Sequence, residues 1–215
     1  VCIKKSLWMI RSKWRGGITV NIWKKEQLAP TIVRFVVHAP QIAAKAEPGQ
    51  FVIVRHKEMG ERIPLTIADF DKDQGTITLV CQGIGRSTQE INALDPKEGF
   101  LDVLGPLGEP YPVEKVGTVV CVAGGLGTAP LYPKAKALAA AGNRVISLQG
   151  AQTKDMLIMT EEMTAVSDHI AFSTDDGSCG HKGYVTQLLQ RVLEEEKVDE
   201  VVVIGPLPMM AAVVE

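Results

Sequence analysis

Three glycines stand between an apolar run and a helix-like pattern in the second half of the chain. The run TVVCVAG ends at Gly124, and Gly125 and Gly127 precede apolar residues that recur at helical spacing until Gly142. Glycine here lets backbone N–H groups approach a pyrophosphate, and the helix N-terminus adds partial positive charge. The usual dinucleotide fingerprint is incomplete, because Pro130 replaces its third glycine and no acidic residue closes the next strand. A nucleotide-binding turn and a turn that serves packing alone therefore both remain open.

Two further turns in this half follow apolar runs. Asp175 and Asp176 come directly after HIAFST, and Gly205 and Pro206 come directly after EVVVI. Parallel strands end at one edge of a sheet, and ligands of open α/β sheets bind at that edge. The paired acids are equally compatible with a solvated turn, so both interpretations are kept.

In the first half, the segment RIPLT places a hydroxyl on an apolar strand. It joins Pro64, Leu65 and Thr66 to the preceding Arg62. A hydroxyl and backbone amides on a rigid strand can meet the polar edge of a flavin ring. Taken alone, the segment is equally compatible with an ordinary β-turn that leads into a strand and binds no flavin.

The segment GIGRST places Gly85, Ser87 and Thr88 at the start of a short predicted helix, residues 87–94. Such a helix start suits a phosphate group, because its N–H groups are free and its dipole is positive. An ordinary helix cap would have the same composition.

The elements around these residues predict two domains. Residues 1–17 precede them, residues 18–112 form the first and residues 113–215 the second. In the first, short β-rich runs separated by turn residues indicate a small antiparallel β-barrel, with runs at 18–23, 31–37, 50–56, 64–70, 76–82 and 100–104. In the second, near-continuous apolar strands alternate with helices, including a weaker helix at 156–166, which indicates an α/β domain with a parallel sheet.

The first seventeen residues are an extension of doubtful status. They carry two tryptophans and five basic residues without strand or helix periodicity, and they end in a glycine pair. An adventitious extension and a basic membrane-surface segment are the two interpretations, and the missing amphipathic moment favours the first.

Composition excludes several classes of function. The 215 residues carry a net charge of -2 and no basic stripe interleaved with aromatic residues, so we expect no nucleic-acid partner. No apolar run reaches the length of a membrane span, so we expect no membrane partner. The four cysteines are far apart and form no C-x-x-C pair, which argues against a metal site or disulfides and fits the cytoplasm.

Six motifs occur in an order that resembles the ferredoxin–NADP reductase superfamily. They are R-x-P-L-T, G-x-G-R-S-T, L-G-P-L-G, V-A-G-G-x-G-x-A-P-L, T-D-D-G-S and I-G-P-x-P-M-M, and the resemblance covers residues 18–215. Within this superfamily, the sequence resembles the small subunits of NADH-dependent reduced ferredoxin:NADP oxidoreductases, also called sulfide dehydrogenase alpha subunits. The dihydroorotate dehydrogenase electron-transfer subunits are near relatives.

This resemblance implies an oxidoreductase that moves a hydride between NAD(P)H and FAD. The flavin performs the chemistry, so no side chain is assigned as a catalyst, although Thr66 would lie near flavin N5. The implied FAD contacts are Arg62, Pro64, Leu65, Thr66, Val80, Cys81, Gln82, Gly85, Ser87 and Thr88. The implied NAD(P) contacts are Gly124, Gly125, Gly127, Thr128, Ala129, Pro130, Asp175, Asp176, Gly205 and Pro206.

The sequence departs from the superfamily pattern in several places. Ile63 stands where many members have a phosphate-binding arginine, and Gly205 stands where many have a cysteine. Proteins of this type carry a cysteine-rich [2Fe-2S] tail, and the last helix here has no stop signal, so we expect the natural protein to continue into one.

The expected partners are a larger flavin and iron–sulfur subunit, forming a heterodimer, and a ferredoxin-type electron carrier. A dihydroorotate dehydrogenase electron-transfer subunit and a stand-alone NAD(P)H:flavin reductase are the alternatives. The sequence leaves the choice between NADH and NADPH open.

Overall fold

A computed structural model of the chain describes residues 8–9 and 20–214, and these form two compact units. The first unit contains the described residues up to 27 together with 31–111, and the second contains residues 28–30 and 112–214. No helix within residues 8–9 and 20–214 is long and apolar enough to span a bilayer.

The first unit is built on a seven-stranded sheet of antiparallel pairs. Its strand order is β1-β7-β4-β5-β6-β3-β2. The strands are β1 (Trp8–Met9), β2 (Ile22–Ala29), β3 (Ile32–His38), β4 (Phe51–Arg55), β5 (Ile63–Asp71), β6 (Thr76–Gln82) and β7 (Asp102–Leu107). Two helices lie between strands, α1 (Pro40–Ala43) and α2 (Arg86–Ala93).

One isolated antiparallel bridge gives this sheet its barrel-like closure. Val20, just before edge strand β2, exchanges two backbone hydrogen bonds with Phe100, just before β7. The sheet is therefore curled so that its two sides meet at one point, without a continuous ladder there. Inside lies an apolar core in which Phe35 and Phe100 make an edge-to-face contact with ring centroids 5.7 Å apart.

The second unit is a five-stranded parallel sheet of order β11-β10-β9-β8-β12. Its strands are β8 (Thr118–Gly124), β9 (Arg144–Ala151), β10 (His169–Thr174), β11 (His181–Lys182) and β12 (Glu200–Ile204). Its helices are α3 (Thr128–Ala140), α4 (Thr160–Ala165), α5 (Val185–Glu195) and α6 (Leu207–Val214). Strand order reverses at β8, so β8 is the switch point beside which open α/β sheets bind ligands.

The predicted fold class, an antiparallel barrel-like sheet followed by a parallel α/β sheet, is confirmed. Some boundaries were wrong. The strand predicted at 18–23 runs over Ile22–Ala29, because β2 is an edge strand whose exposed charged residues hide the alternation: Lys24 and Arg34 both pair with Glu26.

The helix predicted at 156–166 is also shorter than expected. A 3-10 turn covers Lys154–Met156, and α4 begins only at Thr160, after Met159 adopts a left-handed conformation with φ of 53°. The pattern missed α1 and β11, and it missed β1 within the first seventeen residues, where Trp8 pairs with Gly105 of β7. Residues 1–7, which include Cys2, and residues 10–19, which include the first two positions of the strand predicted at 18–23, lie outside the described residues.

Candidate functional site

The glycine turn joins the carboxyl end of β8 to α3. Gly124 is the last residue of β8, Gly125–Gly127 form a 3-10 turn, and α3 starts at Thr128. Gly125 has φ of 52°, and a Cβ added to it would meet no heavy atom within 4 Å. A Cβ at Gly127 would lie 2.2 Å from the carbonyl oxygen of Ile204. Glycine is therefore required at 127 for backbone packing, while the side of the turn at 125 is open.

The end of β12 lies against this turn. A Cβ at Gly205 would be 3.1 Å from Cα of Gly124, and a Cβ at Gly124 would be 2.9 Å from the Pro206 ring. The thioether of Met209 packs against both glycines, 2.5 Å from either added Cβ. The structure thus brings together the glycine turn and the Gly205-Pro206 turn. Met209 is also partly buried against the core of the second unit, beside α5.

A buried hydrogen-bond chain supports the first residue of α3. The Thr128 hydroxyl donates to the carbonyl oxygen of Gly125 at 3.0 Å, and it accepts from Nε2 of Gln149 at 3.2 Å. Thr128 and Ala129 are buried, and Pro130 is partly buried. Gln149 was missed in the sequence, because an isolated glutamine within a strand carries no motif.

The acidic loop after β10 is tied to the loop after β9. Asp175 donates its N–H to the Ala151 carbonyl oxygen at 3.1 Å, and the N–H of Lys154 donates to the Ser178 hydroxyl at 2.8 Å. Asp176 accepts from the Ser178 O–H at 2.6 Å and from its N–H at 2.9 Å. These bonds hold the pKa of the Asp176 carboxyl below its usual value. Both aspartates are exposed at the carboxyl edge, and Asp176 is already engaged within its own turn.

On the barrel, strand alternation separates three consecutive predicted residues. Leu65 is 8% exposed and belongs to the core, whereas Pro64 is exposed and Thr66 half-buried on the outer face. Phe51 on β4 is opposite Thr66 and is itself half-buried. The outer face therefore offers a proline, a hydroxyl and an aromatic ring, while Leu65 can reach a ligand there only through its backbone.

On strand β6, too, the predicted residues alternate between the barrel core and the outer face. Cys81 points into the barrel core, where burial raises the pKa of its thiol to about 11. Val80 is buried outside that core cluster, and Gln82 is half-buried. Asn92 of α2 donates to the Cys81 carbonyl oxygen at 3.2 Å and to the Thr31 carbonyl oxygen at 3.1 Å, which fixes α2 against the strand.

The N-terminus of α2 is open on one side. A Cβ at Gly85 would meet nothing within 4 Å. The Thr88 hydroxyl caps the helix by accepting the N–H groups of Ile84 at 3.0 Å and Gly85 at 3.1 Å. The Ser87 hydroxyl instead donates to the carboxylate of Glu61, in the loop before β5. The Glu61 carboxylate thus lies where the sequence predicts a bound phosphate. The sequence analysis did not identify Glu61 as part of this site.

Arg62 is held by a buried acid. Its Nη1 lies 3.4 Å from Oδ1 of Asp102, and its side chain is half exposed. Oδ2 of Asp102 accepts from Nε of Arg55 at 2.9 Å and from Nη2 at 2.6 Å. One carboxylate therefore orients two guanidinium groups, that of Arg55 at the end of β4 and that of Arg62 just before β5, and Arg62 keeps donors available to solvent.

No group of His, Cys, Asp or Glu in the described part of the chain is placed to hold a metal ion. Cys121 on β8 is buried, which raises the pKa of its thiol to about 12. The thiolate that a metal or cluster requires is therefore disfavoured at Cys81 and at Cys121.

Comparisons with known proteins agree with this architecture. The family model described as "Oxidoreductase NAD-binding domain" matches residues 121–215. The chain is 44% identical over 196 residues to the "dihydroorotate dehydrogenase B (NAD(+)), electron transfer subunit homolog" of Thermotoga maritima, covering 91% of this chain and 69% of that protein. It is 35% identical over 199 residues to the dihydroorotate dehydrogenase B electron transfer subunit of Lysinibacillus sphaericus, covering 90% and 76%.

Two solved structures share the fold of this chain. A structure of NADH-dependent reduced ferredoxin-NADP oxidoreductase superposes with a TM-score of 0.84 at 42% identity, covering 92% of this chain and 71% of that one. The cytochrome b5 reductase domain of Ulva prolifera nitrate reductase superposes with a TM-score of 0.70 at 19% identity, covering 96% and 90%. The second of these shows a shared fold.

Proposed function

Since the chain belongs to the ferredoxin–NADP reductase superfamily, together with the dihydroorotate dehydrogenase B electron-transfer subunits, we propose that it carries electrons between NAD(P)H and FAD. It is a flavin-dependent NAD(P)H oxidoreductase, and it passes electrons on to a larger iron–sulfur subunit. The observation that carries the proposal is the glycine turn at the switch point of the parallel sheet, where backbone packs directly on backbone and Gly125 remains open. We place the reaction in the cytoplasm, where NAD(P)H is supplied.

The barrel residues fit FAD. A pyrophosphate would suit the start of α2, where the space beside Gly85 is open and Ser87 offers a hydroxyl. Asp102 orients Arg62, which would add positive charge. Pro64 and Thr66 form an outer face on which a flat ring can lie, with Val80 and Gln82 on the neighbouring strand. Leu65 and Cys81 contribute backbone groups, since their side chains belong to the core.

The second unit fits NAD(P)H. The residues that would hold it are those of the glycine turn, with Thr128, Ala129 and Pro130 at the start of α3. Gly205 and Pro206 pack closely against that turn, and the open side of the turn is at Gly125. Asp175 and Asp176 stand at the same edge of the sheet and would border the nucleotide.

The chemistry belongs to the flavin, which when bound accepts two electrons from the nicotinamide and releases them singly. The chain's own residues bind and orient the two cofactors. Thr66 would present its hydroxyl at the polar edge of the flavin ring, while the start of α2 and the glycine turn would hold phosphates through backbone N–H groups. From the relatives, we assign an iron–sulfur centre to the partner subunit, and the [2Fe-2S] cluster on a cysteine-rich tail stays a prediction.

Anaerobic titration of the FAD-loaded chain with NADH, and separately with NADPH, tests this proposal. We expect the flavin absorbance to bleach with at least one nucleotide, and the ratio of the two dissociation constants ranks them. Dithionite, which reduces bound flavin without a nucleotide site, is the control. Bleaching by dithionite alone would contradict the nucleotide half of the proposal, and a chain that cannot be loaded with FAD would contradict the whole of it.

The dihydroorotate dehydrogenase branch is a second candidate, favoured by the 44% and 35% identities to relatives named as such subunits or their homologue. The two branches differ in the electron acceptor. In the first case, the complex with the partner subunit is expected to exchange electrons between a reduced ferredoxin and a nicotinamide nucleotide. In the second, the complex would interconvert dihydroorotate and orotate, and an assay for orotate separates the two.

Replacing Glu61 by glutamine is expected to tighten FAD binding by roughly fivefold, because the Glu61 carboxylate lies on Ser87, where a pyrophosphate would be repelled. The measurement is the quenching of FAD fluorescence by the flavin-free chain. Glu58→Gln is the matched control, since it removes the same charge from the same loop. Equal changes in FAD affinity in both variants would mean that only the net charge of the loop matters. Weaker FAD binding by Glu61→Gln would show that Glu61 contributes to FAD binding.

A further inference from the structure

The side chain of Gln149 connects the glycine turn to the loop before α4. It lies on β9, is 1% exposed, and donates from Nε2 to the Thr128 hydroxyl and to the Ile158 carbonyl oxygen, both at 3.2 Å. A carbonyl oxygen only accepts, so the amide nitrogen must face Ile158, which settles the orientation of the amide. The glutamine is therefore a donor to both partners.

The donor role of Gln149 determines where the Thr128 proton points. A hydroxyl has a single hydrogen, and because Thr128 accepts from Gln149 its own O–H is directed at the Gly125 carbonyl oxygen, 3.0 Å away. This carbonyl also accepts the backbone N–H of Thr128, and the two bonds together hold it toward α3. In a trans peptide the N–H of the next residue points the opposite way, so the chain from Gln149 through Thr128 contributes to the direction of the turn's amide groups.

We infer that Gln149 is a positioning residue for the dinucleotide phosphates, acting through Thr128 on the glycine turn. The inference rests on the proposed function of that turn. It adds a residue that touches no ligand but fixes the orientation of the groups that do. The same amide holds the Ile158 carbonyl, next to the left-handed Met159, so it links the loops after β8 and β9 at the edge of the sheet.

Packing alone does not account for a glutamine here. Its Oε1 is buried and has no hydrogen-bond partner among the described residues, which is a cost that a leucine of similar size would remove. A residue selected only for stability would avoid that cost. The amide is explained by the two donors that it supplies.

Ser147 provides a matched control two residues earlier on the same strand and the same face. It is fully buried, and its hydroxyl lies 2.6 Å from the hydroxyl of Ser167, which donates to the Met163 carbonyl oxygen. This second buried polar chain reaches α4 but not the glycine turn. Ser147→Ala therefore removes a comparable buried hydrogen bond without touching Thr128.

The test compares Gln149→Leu with Ser147→Ala in the FAD-loaded chain. We expect Gln149→Leu to weaken binding of unreactive NAD⁺ or NADP⁺, measured by calorimetry, by about tenfold, since two buried acceptors lose their donor. The KM for the reduced nucleotide should rise likewise, while kcat at saturation and FAD retention stay within about twofold of wild type. Ser147→Ala should lower the melting temperature at least as much as Gln149→Leu and leave nucleotide affinity unchanged.

Two further variants keep the test decisive if Gln149→Leu folds poorly. Gln149→Glu preserves the shape but presents acceptors in place of donors, so it should weaken nucleotide binding as Gln149→Leu does. Thr128→Val in the Gln149→Leu background should cause little additional loss, because both act through one chain. Affinities for Gln149 variants within twofold of wild type, or equal losses in Ser147→Ala, would overturn the inference. A wild-type chain that binds neither nucleotide would instead refute the proposed function.

Discussion

Replacing Gly127 by alanine is expected to lower the free energy of unfolding of the second unit by about 3 kcal/mol and to weaken NAD(P)H binding more than tenfold. A Cβ at this position would lie 2.2 Å from the carbonyl oxygen and 2.7 Å from the carbonyl carbon of Ile204. Both are backbone atoms of β12, so neither can move without displacing the strand. The turn itself must shift, and its amide groups shift with it.

Gly125→Ala is the control for the stability measurement. It faces open space, so its only cost is the left-handed φ, which amounts to about 1 kcal/mol. Urea denaturation followed by circular dichroism gives the unfolding free energies, and calorimetry with NAD⁺ gives the affinity. If Gly127→Ala costs no more than Gly125→Ala, the close approach of the turn to β12 is not what requires glycine at 127.

Replacing Asp102 by asparagine is expected to destabilise the barrel by about 2 kcal/mol and to weaken FAD binding severalfold. Asp102 is 6% exposed, and its carboxylate faces the guanidinium groups of both Arg55 and Arg62. Asparagine keeps the shape but loses the charge and turns one acceptor into a donor. Arg55 is then left largely buried without its counter-ion, and Arg62 loses its orientation.

Asp71→Asn is the matched control for this substitution. Its Oδ1 accepts the N–H groups of Asp73 at 2.9 Å and Gln74 at 2.8 Å, and an asparagine oxygen can accept both, so the change should stay within about 0.5 kcal/mol. Chemical denaturation and FAD titration are run on both variants. Equal stabilities of the two would mean that the paired arginines do not depend on the Asp102 charge.

Much of the molecule could be read from local patterns. Alternating runs and near-continuous apolar runs reflect which faces of a strand are buried, so they predicted the barrel-like sheet and the parallel sheet correctly. The order of six short motifs indicated the superfamily, and the relatives confirm it. The binding roles of the individual residues in those motifs stay predictions.

Local patterns gave wrong element boundaries at an exposed edge strand and where a side chain distant in sequence binds the backbone. Edge strand β2 was misplaced because its exposed charges pair across strands, as Glu26 does with Arg34. The α4 helix was extended too far, because the Ile158 carbonyl is taken by Gln149 and the chain turns left-handed at Met159 before the helix begins.

The sequence by itself determined the two fold classes, the order of the motifs and the family. Only the tertiary structure decided which side chains meet: Asp102 with Arg55, 47 residues apart, Glu61 with Ser87, 26 apart, and Gln149 with Thr128, 21 apart. Periodicity records how one residue relates to its own element, whereas these contacts depend on how separate elements pack. It likewise takes the packed strand β12 to show that Gly127 has no room for a side chain, since the atoms that exclude it lie 77 residues further along the chain.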